Sequence, residues 1–353
     1  MTYHGGFWRV MAMILIPLLL TACGTNIGFS FLSLPTATPE PDPTATPVPL
    51  STLEPLVNLA AHKNLTGPVY SLAWSPDGSR LVSTGYRQLK LWDVQTHTEL
   101  ATLEGLSSFI WGAAWAPDGT SFASASRDGT VRLWDADSYQ ELAVLKPGEA
   151  FCVDWSPDGQ QLVSGTASGR VTIWNRKSGE AGFDWRGSSL IISVVWSPDG
   201  SLIAAGQWDG KILLWDTKTG HPLPTLVGTA ARSDVNGLAW SPDGLILAAA
   251  QQDGNIRLWD VLSGTLLRTI KSHGGWSRGI SWSPDGSKIA TGGDDSMLRI
   301  WDAGSGQLLA SVRYGFSPIW SVSWSPDGRE IAVGCGKYDS PNDNGQVVFW
   351  GLP

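Results

Sequence analysis

The motif AWSPDG, in this form or a close variant, occurs seven times, with its tryptophan at Trp74, Trp115, Trp155, Trp196, Trp240, Trp282 and Trp324. Copies lie 40 to 44 residues apart, and after each comes LWD or a relative, with tryptophans at Trp92, Trp134, Trp174, Trp215, Trp259, Trp301 and Trp350. A two-part pattern at this period confines the chain to a propeller or a solenoid, because each unit buries its apolar faces only against its neighbours. A pair of ordinary globular domains is excluded.

Within a unit the punctuation is that of short antiparallel strands. Ser-Pro-Asp-Gly suits a type I turn, with Pro presetting the second position and Gly at the fourth. Asp128-Gly129, Asp209-Gly210 and Asp253-Gly254 are expected to supply the positive-φ residues of a tight hairpin just before the LWD strand. A third turn, such as TKTG or VLSG, leads to an outer strand. Four strands per unit, the inner ones apolar on both faces, fit a blade held between two others. A solenoid would need polar caps at its ends, and the sequence offers none.

These motifs resemble those of the WD40-repeat family over residues 54–353. The resemblance implies an all-β fold, a seven-bladed β-propeller, with Trp92, Trp134, Trp174, Trp215, Trp259, Trp301 and Trp350 and the turn residues Asp128, Asp209, Asp253 and Asp295 as its structural repeat. The chain stops three residues after Trp350, which leaves the last blade short of its outer strand. The resemblance implies that an N-terminal segment, EPLVNLAAH at 54–62, fills that place and removes an exposed edge. The closing strand would then enter from the face of the Ser-Pro-Asp-Gly turns. The family's structural histidine is matched well only by His273 and loosely by His62, and the turn aspartate is replaced by Ser168 and Asn344 in the third and seventh blades. Its Trp-Ser/Thr-Asp-His network is therefore expected to be incomplete in most blades, with stability resting on tryptophan packing.

Ahead of the repeats, Val10 to Leu20 forms an apolar run behind Arg9, too short to span a bilayer and placed like a signal-peptide core. Leu20-Thr21-Ala22-Cys23 resembles the lipobox of bacterial lipoproteins, which implies a signal peptide over 1–22 and lipidation of Cys23. Residues 23–53 are rich in Pro, Thr and Ser and read as a linker able to hold a domain clear of a membrane. The expected location is the bacterial cell envelope, lipid-anchored on the extracytoplasmic side.

Chemistry is sparse. The net charge of −8, without a Lys/Arg cluster, argues against a nucleic-acid partner. No protease, hydrolase, phosphate-loop or paired-cysteine signature occurs, so no catalytic residue, cofactor or metal is assigned. Cys152 and Cys335 fall in different blades and read as buried apolar residues.

Of the 20 tryptophans, 14 belong to the two motifs and Trp8 to the signal, leaving Trp111, Trp185, Trp208, Trp276 and Trp320. On the repeat all five map to the face opposite the Ser-Pro-Asp-Gly turns. The position four before each motif tryptophan reads Tyr70, Trp111, Phe151, Ile192, Asn236, Arg278 and Trp320, and the position before the turn aspartate adds Arg127, Trp208, Gln252 and Asp294. The resemblance implies that both positions ring the channel mouth and contact partners. With Trp276, they give an apolar arc opposed by polar residues, the composition of a protein-binding hot spot. The expectation is a non-enzymatic scaffold for an unidentified protein or peptide, with a glycan or small ligand as the alternative. A channel-mouth hydrolase or lyase would have only Asp234, Asn236, Glu149 and Arg278 to work with. The same rings would also serve as a plug, so exposure decides. An insertion at 336–345 in the last blade belongs to this face as well.

Overall fold

The computed structural model describes residues 67–103, 106–228, 233–315, 317–337 and 345–351, and the main chain of 55–59. Cys23, the signal and linker segments, His62 and insertion residues 338–344 lie outside the described residues. No helix among the described residues is long and apolar enough to cross a membrane. The strands form seven four-stranded antiparallel sheets, the blades of a seven-bladed β-propeller. The first blade sets the pattern with Ser71–Trp74, Arg80–Thr84, Leu89–Asp93 and Thr98–Leu103 from the axis outwards.

Blade order explains burial. Second strands have a neighbouring blade on each face, and every residue of Ser121–Ser126 is buried. Fourth strands form the outer rim, where Ala181–Arg186 is largely exposed. Cys152 and Cys335 are both buried, and burial pushes the Cys152 thiol well above its usual range.

Each Ser-Pro-Asp-Gly turn is locked by its own side chains. In the first, Gly78 N donates to Ser75 O at 2.9 Å, Ser75 Oγ donates to Asp77 at 2.6 Å, and Arg80 N donates back to Ser75 Oγ at 2.8 Å. Gly78 has φ 71°, which only glycine adopts without strain. Such hydroxyl and amide donors stabilise the carboxylates: in the sixth blade, Ser283 and Ser287 hold Asp285 down to about 2.

The opposite hairpins differ from the sequence expectation. Gly129, Gly210 and Gly254 have positive φ, but Asp128, Asp209 and Asp253 do not. The turn is closed by Gly129 N donating to Ser126 O at 3.3 Å, while Asp128 accepts the Thr130 main-chain N–H at 3.1 Å. Aspartate is used here as a side-chain cap for the next strand rather than for left-handed backbone. The residue before it, as at Arg127 or Trp208, is thereby raised to the crest of the loop.

The two tryptophan series hold different joints. In the AWSPDG series, Trp115 donates to Ala73 O of the preceding blade at 3.0 Å, Trp155 to Ala114 O at 3.1 Å and Trp282 to Ala239 O at 3.1 Å, whereas Trp324 turns to Gly328 O of its own blade and Trp196 and Trp240 find no partner. Indoles of the LWD series bond within the blade, Trp92 to Ser83 at 2.9 Å, Trp134 to Ser124 at 3.0 Å and Trp174 to Ser164 at 2.9 Å. The sixth blade completes the relay, from Trp301 to Thr291 at 2.9 Å, Thr291 to His273 at 3.0 Å and His273 to Asp295 at 2.8 Å. Burial dominates at His273 and lowers its imidazole pKa. At Asp295 burial opposes ionisation, but hydrogen bonds from His273 and Arg299 outweigh it and hold the carboxyl well below the usual range. Trp259 Nε1 and Trp350 Nε1 find no partner, because Ala249 and Val333 occupy the hydroxyl positions of their blades.

Seams between blades are close. A Cβ on Gly165, Gly206 or Gly292 would run into Ile191, Val235 or Ile319 at the start of the next blade. The same joint recurs between last and first blades, where a Cβ on Gly334 would lie 2.8 Å from Val69 Cγ1. Trp74 Nε1 adds a bond to Ser323 O at 3.1 Å across that junction. Pro55–Leu59 pairs antiparallel with Gln346–Gly351, Pro55 opposite Trp350 and Leu59 opposite Val347. The ring is closed by an N-terminal strand that enters at the Ser-Pro-Asp-Gly end.

Candidate functional site

At the end of the ring bearing the Asp-Gly hairpins, the inner strands surround a cavity of about 660 Å³. Three registers of the repeat feed it. The residue four before the motif tryptophan lies just inside the innermost strand in six blades and, as Tyr70, directly ahead of it in the first. The residue six before lies in the loop leading into that strand. The crest residue of the hairpin reaches over from the next strand pair.

Ten of the residues expected at this mouth line the cavity, namely Tyr70, Trp111, Phe151, Ile192, Trp208, Asn236, Trp276, Arg278, Asp294 and Trp320, whereas Arg127 turns to Glu149 and Gln252 lines a neighbouring recess. Leu190, Asp234, Pro318 and Lys337 line it too. Leu190, Asp234 and Pro318 occupy the register of Trp276, six before the motif tryptophan, so extending that one residue's register to every blade would have found them. Lys337 opens the last-blade insertion.

One side is a run of aromatic contacts. Trp111 lies between Tyr70, with ring centroids 4.3 Å apart, and Phe151, stacked at 5.4 Å. Tyr70 meets Trp320 edge-on at 5.4 Å, and Phe109 stacks behind Trp111 at 5.5 Å. Trp320 is fixed by donating to Gly336 O at 2.9 Å. The rings differ in what they offer. Tyr70 is only 7% exposed and acts as floor, while Trp208 and Trp276 are 52% and 36% exposed and stand free at the rim. The aromatics therefore wall the cavity rather than fill it.

The facing side is polar. The guanidinium carbon of Arg278 lies 3.7 Å from the Trp320 centroid and 4.7 Å from that of Trp276, and its Nε contacts Asp294. Asn236 donates to Ser277 O at 2.9 Å. Asp234 is 5% exposed, and burial raises its carboxyl above the ordinary range. Glu149 turns to Arg127 at 3.8 Å outside the cavity, so the four groups considered for hydrolysis do not converge. Among the described residues no group of three or more His, Cys, Asp or Glu could hold a metal ion.

Trp185 departs from its expected place on this face. Its ring stacks on Trp215 of the next blade at 5.0 Å and its Nε1 donates to Gly220 O at 2.9 Å. It points sideways from the rim and seals a blade joint, since an outer strand has a neighbour to reach but no channel.

A smaller recess of about 450 Å³ adjoins the cavity between the fourth and fifth blades, lined by Ser188, Ser189, Trp208, Asp209, Asp234 and Gln252. Trp208 and Asp234 border both spaces. Along the axis below, a narrow channel of about 300 Å³ runs between the innermost strands.

The family model described as the IFT122 first beta-propeller matches residues 68–339, most of the chain. No curated protein matches it.

Proposed function

The chain belongs to the family of the IFT122 first beta-propeller, WD40-type propellers, and from that premise we propose that it captures a protein or peptide at its aromatic cavity. A WD40-type propeller suggests a protein-interaction scaffold. The observation that carries the finer reading is the open cavity itself, walled by Trp111, Phe151 and Trp320 and rimmed by the exposed Trp208 and Trp276. Rigid aromatic rings in a concave site give an apolar anchor much buried area at low entropic cost, and they dominate binding hot spots. Arg278, Asp294 and Asn236 would orient the bound segment through hydrogen bonds. Cys23 would hold the domain at the extracytoplasmic side of a bacterial envelope membrane.

The test is affinity capture from the native envelope with wild type and the Trp111→Ala, Trp320→Ala double variant. The variant is expected to remain folded by circular dichroism and to lose the captured protein. Equal capture by both would overturn the reading. The anchor is tested separately by Cys23→Ser, which is expected to release the protein from membranes.

A second reading, glycan binding, draws on Trp208 and Trp276, whose exposed faces suit sugar rings. Binding of the domain to a glycan array, abolished by Trp208→Ala, would favour it over a peptide ligand.

A further inference from the structure

The acidic residues at this end of blades four to six are matched to cations with one exception. Lys211 reaches Asp209 at 2.7 Å, Arg257 reaches Asp253 at 2.6 Å, and Arg278 contacts Asp294. Asp234 has no such partner. No described cation lies within ion-pair distance of its carboxylate, which meets only its own main-chain N–H. It is nonetheless 5% exposed and borders both the aromatic cavity and the adjoining recess. Burial raises its carboxyl above the ordinary range, and a cation arriving beside it would offset that cost.

The surroundings suit a cation in particular. Trp208, shared by the same two spaces, offers a π face, the favoured neighbour of an ammonium or guanidinium group. Ser188, Ser189 and Gln252 surround the recess with polar atoms able to accept the further N–H bonds such a group carries. The aromatic cavity leads into the recess from one side, so a side chain with an apolar stem and a charged tip matches both spaces together.

We propose that the recess beside Asp234 and Trp208 is a subsite for a basic side chain, lysine or arginine, of the peptide bound in the aromatic cavity. The inference rests on the peptide-binding reading above and adds what that peptide must carry. Its stem crosses from the cavity past Trp208, and its cationic tip ends on Asp234.

The experiment uses the full chain immobilised against a phage-displayed random heptapeptide library. Wild type is expected to enrich peptides with a shared Lys or Arg position. A selected peptide with that residue replaced by norleucine should bind wild type about 30-fold more weakly or worse, since truncating one partner of a buried charge pair is expensive. Asp234→Asn keeps the side chain's shape and the main-chain bond from Gln252 N to Asp234 O at 2.9 Å. It should discriminate the two peptides by less than threefold, a non-additivity that isolates the pair. Enriched peptides without a basic position, or equal discrimination in Asp234→Asn, would overturn the subsite and leave peptide capture standing. No enrichment by wild type would overturn both.

Discussion

The guanidinium of Arg278 lies against the face of Trp320, 3.7 Å from the ring centroid. This contact joins the polar half of the cavity to its aromatic half and holds Trp320 upright between Tyr70 and the channel. Asp294 completes the arrangement by contacting the same guanidinium.

Replacing Arg278 by Lys should therefore not be conservative, because an ammonium cannot lie flat on the ring while bonding Asp294. We expect a loss of about 1 kcal/mol in stability. Red-shifted tryptophan fluorescence should accompany it as Trp320 gains water. An unchanged emission maximum would argue against the coupling.

Asp154 bridges two blades, accepting Trp155 N at 2.9 Å and Trp196 N at 2.8 Å. It borders the channel, and burial pushes its carboxyl up to about 6. The folded state thus holds a proton that the unfolded chain releases near pH 4. Its stabilising contribution is complete below pH 4 and lost as the pH rises through 6. Urea midpoints should reveal this as a fall on the order of 1 to 3 kcal/mol across that interval, and Asp154→Asn should flatten it relative to wild type.

The sixth blade combines Trp301, Thr291, His273 and Asp295 in one relay. Thr291→Val removes two of its bonds and strands buried polar atoms, for an expected cost of about 2 to 4 kcal/mol. Ser124→Ala, which removes the bond from Trp134 Nε1, should cost about half as much. Thermal unfolding that ranks the two variants the other way would contradict this.

Trp259 Nε1 is buried without a partner, and Ala249 stands where other blades place a hydroxyl. Ala249→Ser should supply one and raise stability by about 1 kcal/mol. Chemical denaturation would record a higher midpoint with an unchanged slope.

Gly292→Ala places a methyl group into Ile319 across a blade seam. Overpacking of this kind costs about 1 to 3 kcal/mol. Adding Ile319→Ala to the variant should restore less than additive loss, which a four-way cycle of stabilities measures.

The ring and its closing strand were legible because AWSPDG and LWD recur at a fixed period and the last copy lacks a following strand. The mouth residues were legible for a related reason: Trp111 and Trp320 stand at one repeat position, so the same position in other blades follows. Leu190 and Pro318 escaped because only Trp276 advertised their register, and Asp234 entered only as a group weighed for hydrolysis. Trp185 misled because a strand's order in the chain says nothing of which way a rim side chain leans. The aspartate of the Asp-Gly hairpins misled differently, since the dipeptide suits two turn types and only the backbone distinguishes them.

Ring closure by Pro55–Leu59 also imposes an order in time. The earliest described strand of the chain finds its partner only when Gln346–Gly351 has been made, so this sheet completes after the other six. Until then the first blade waits with its Val69 and Trp74 joint open and apolar surface uncovered. Contacts of such sequence separation form slowly and expose the nascent chain to aggregation. A protein built this way depends on being kept from premature association until its final strand emerges.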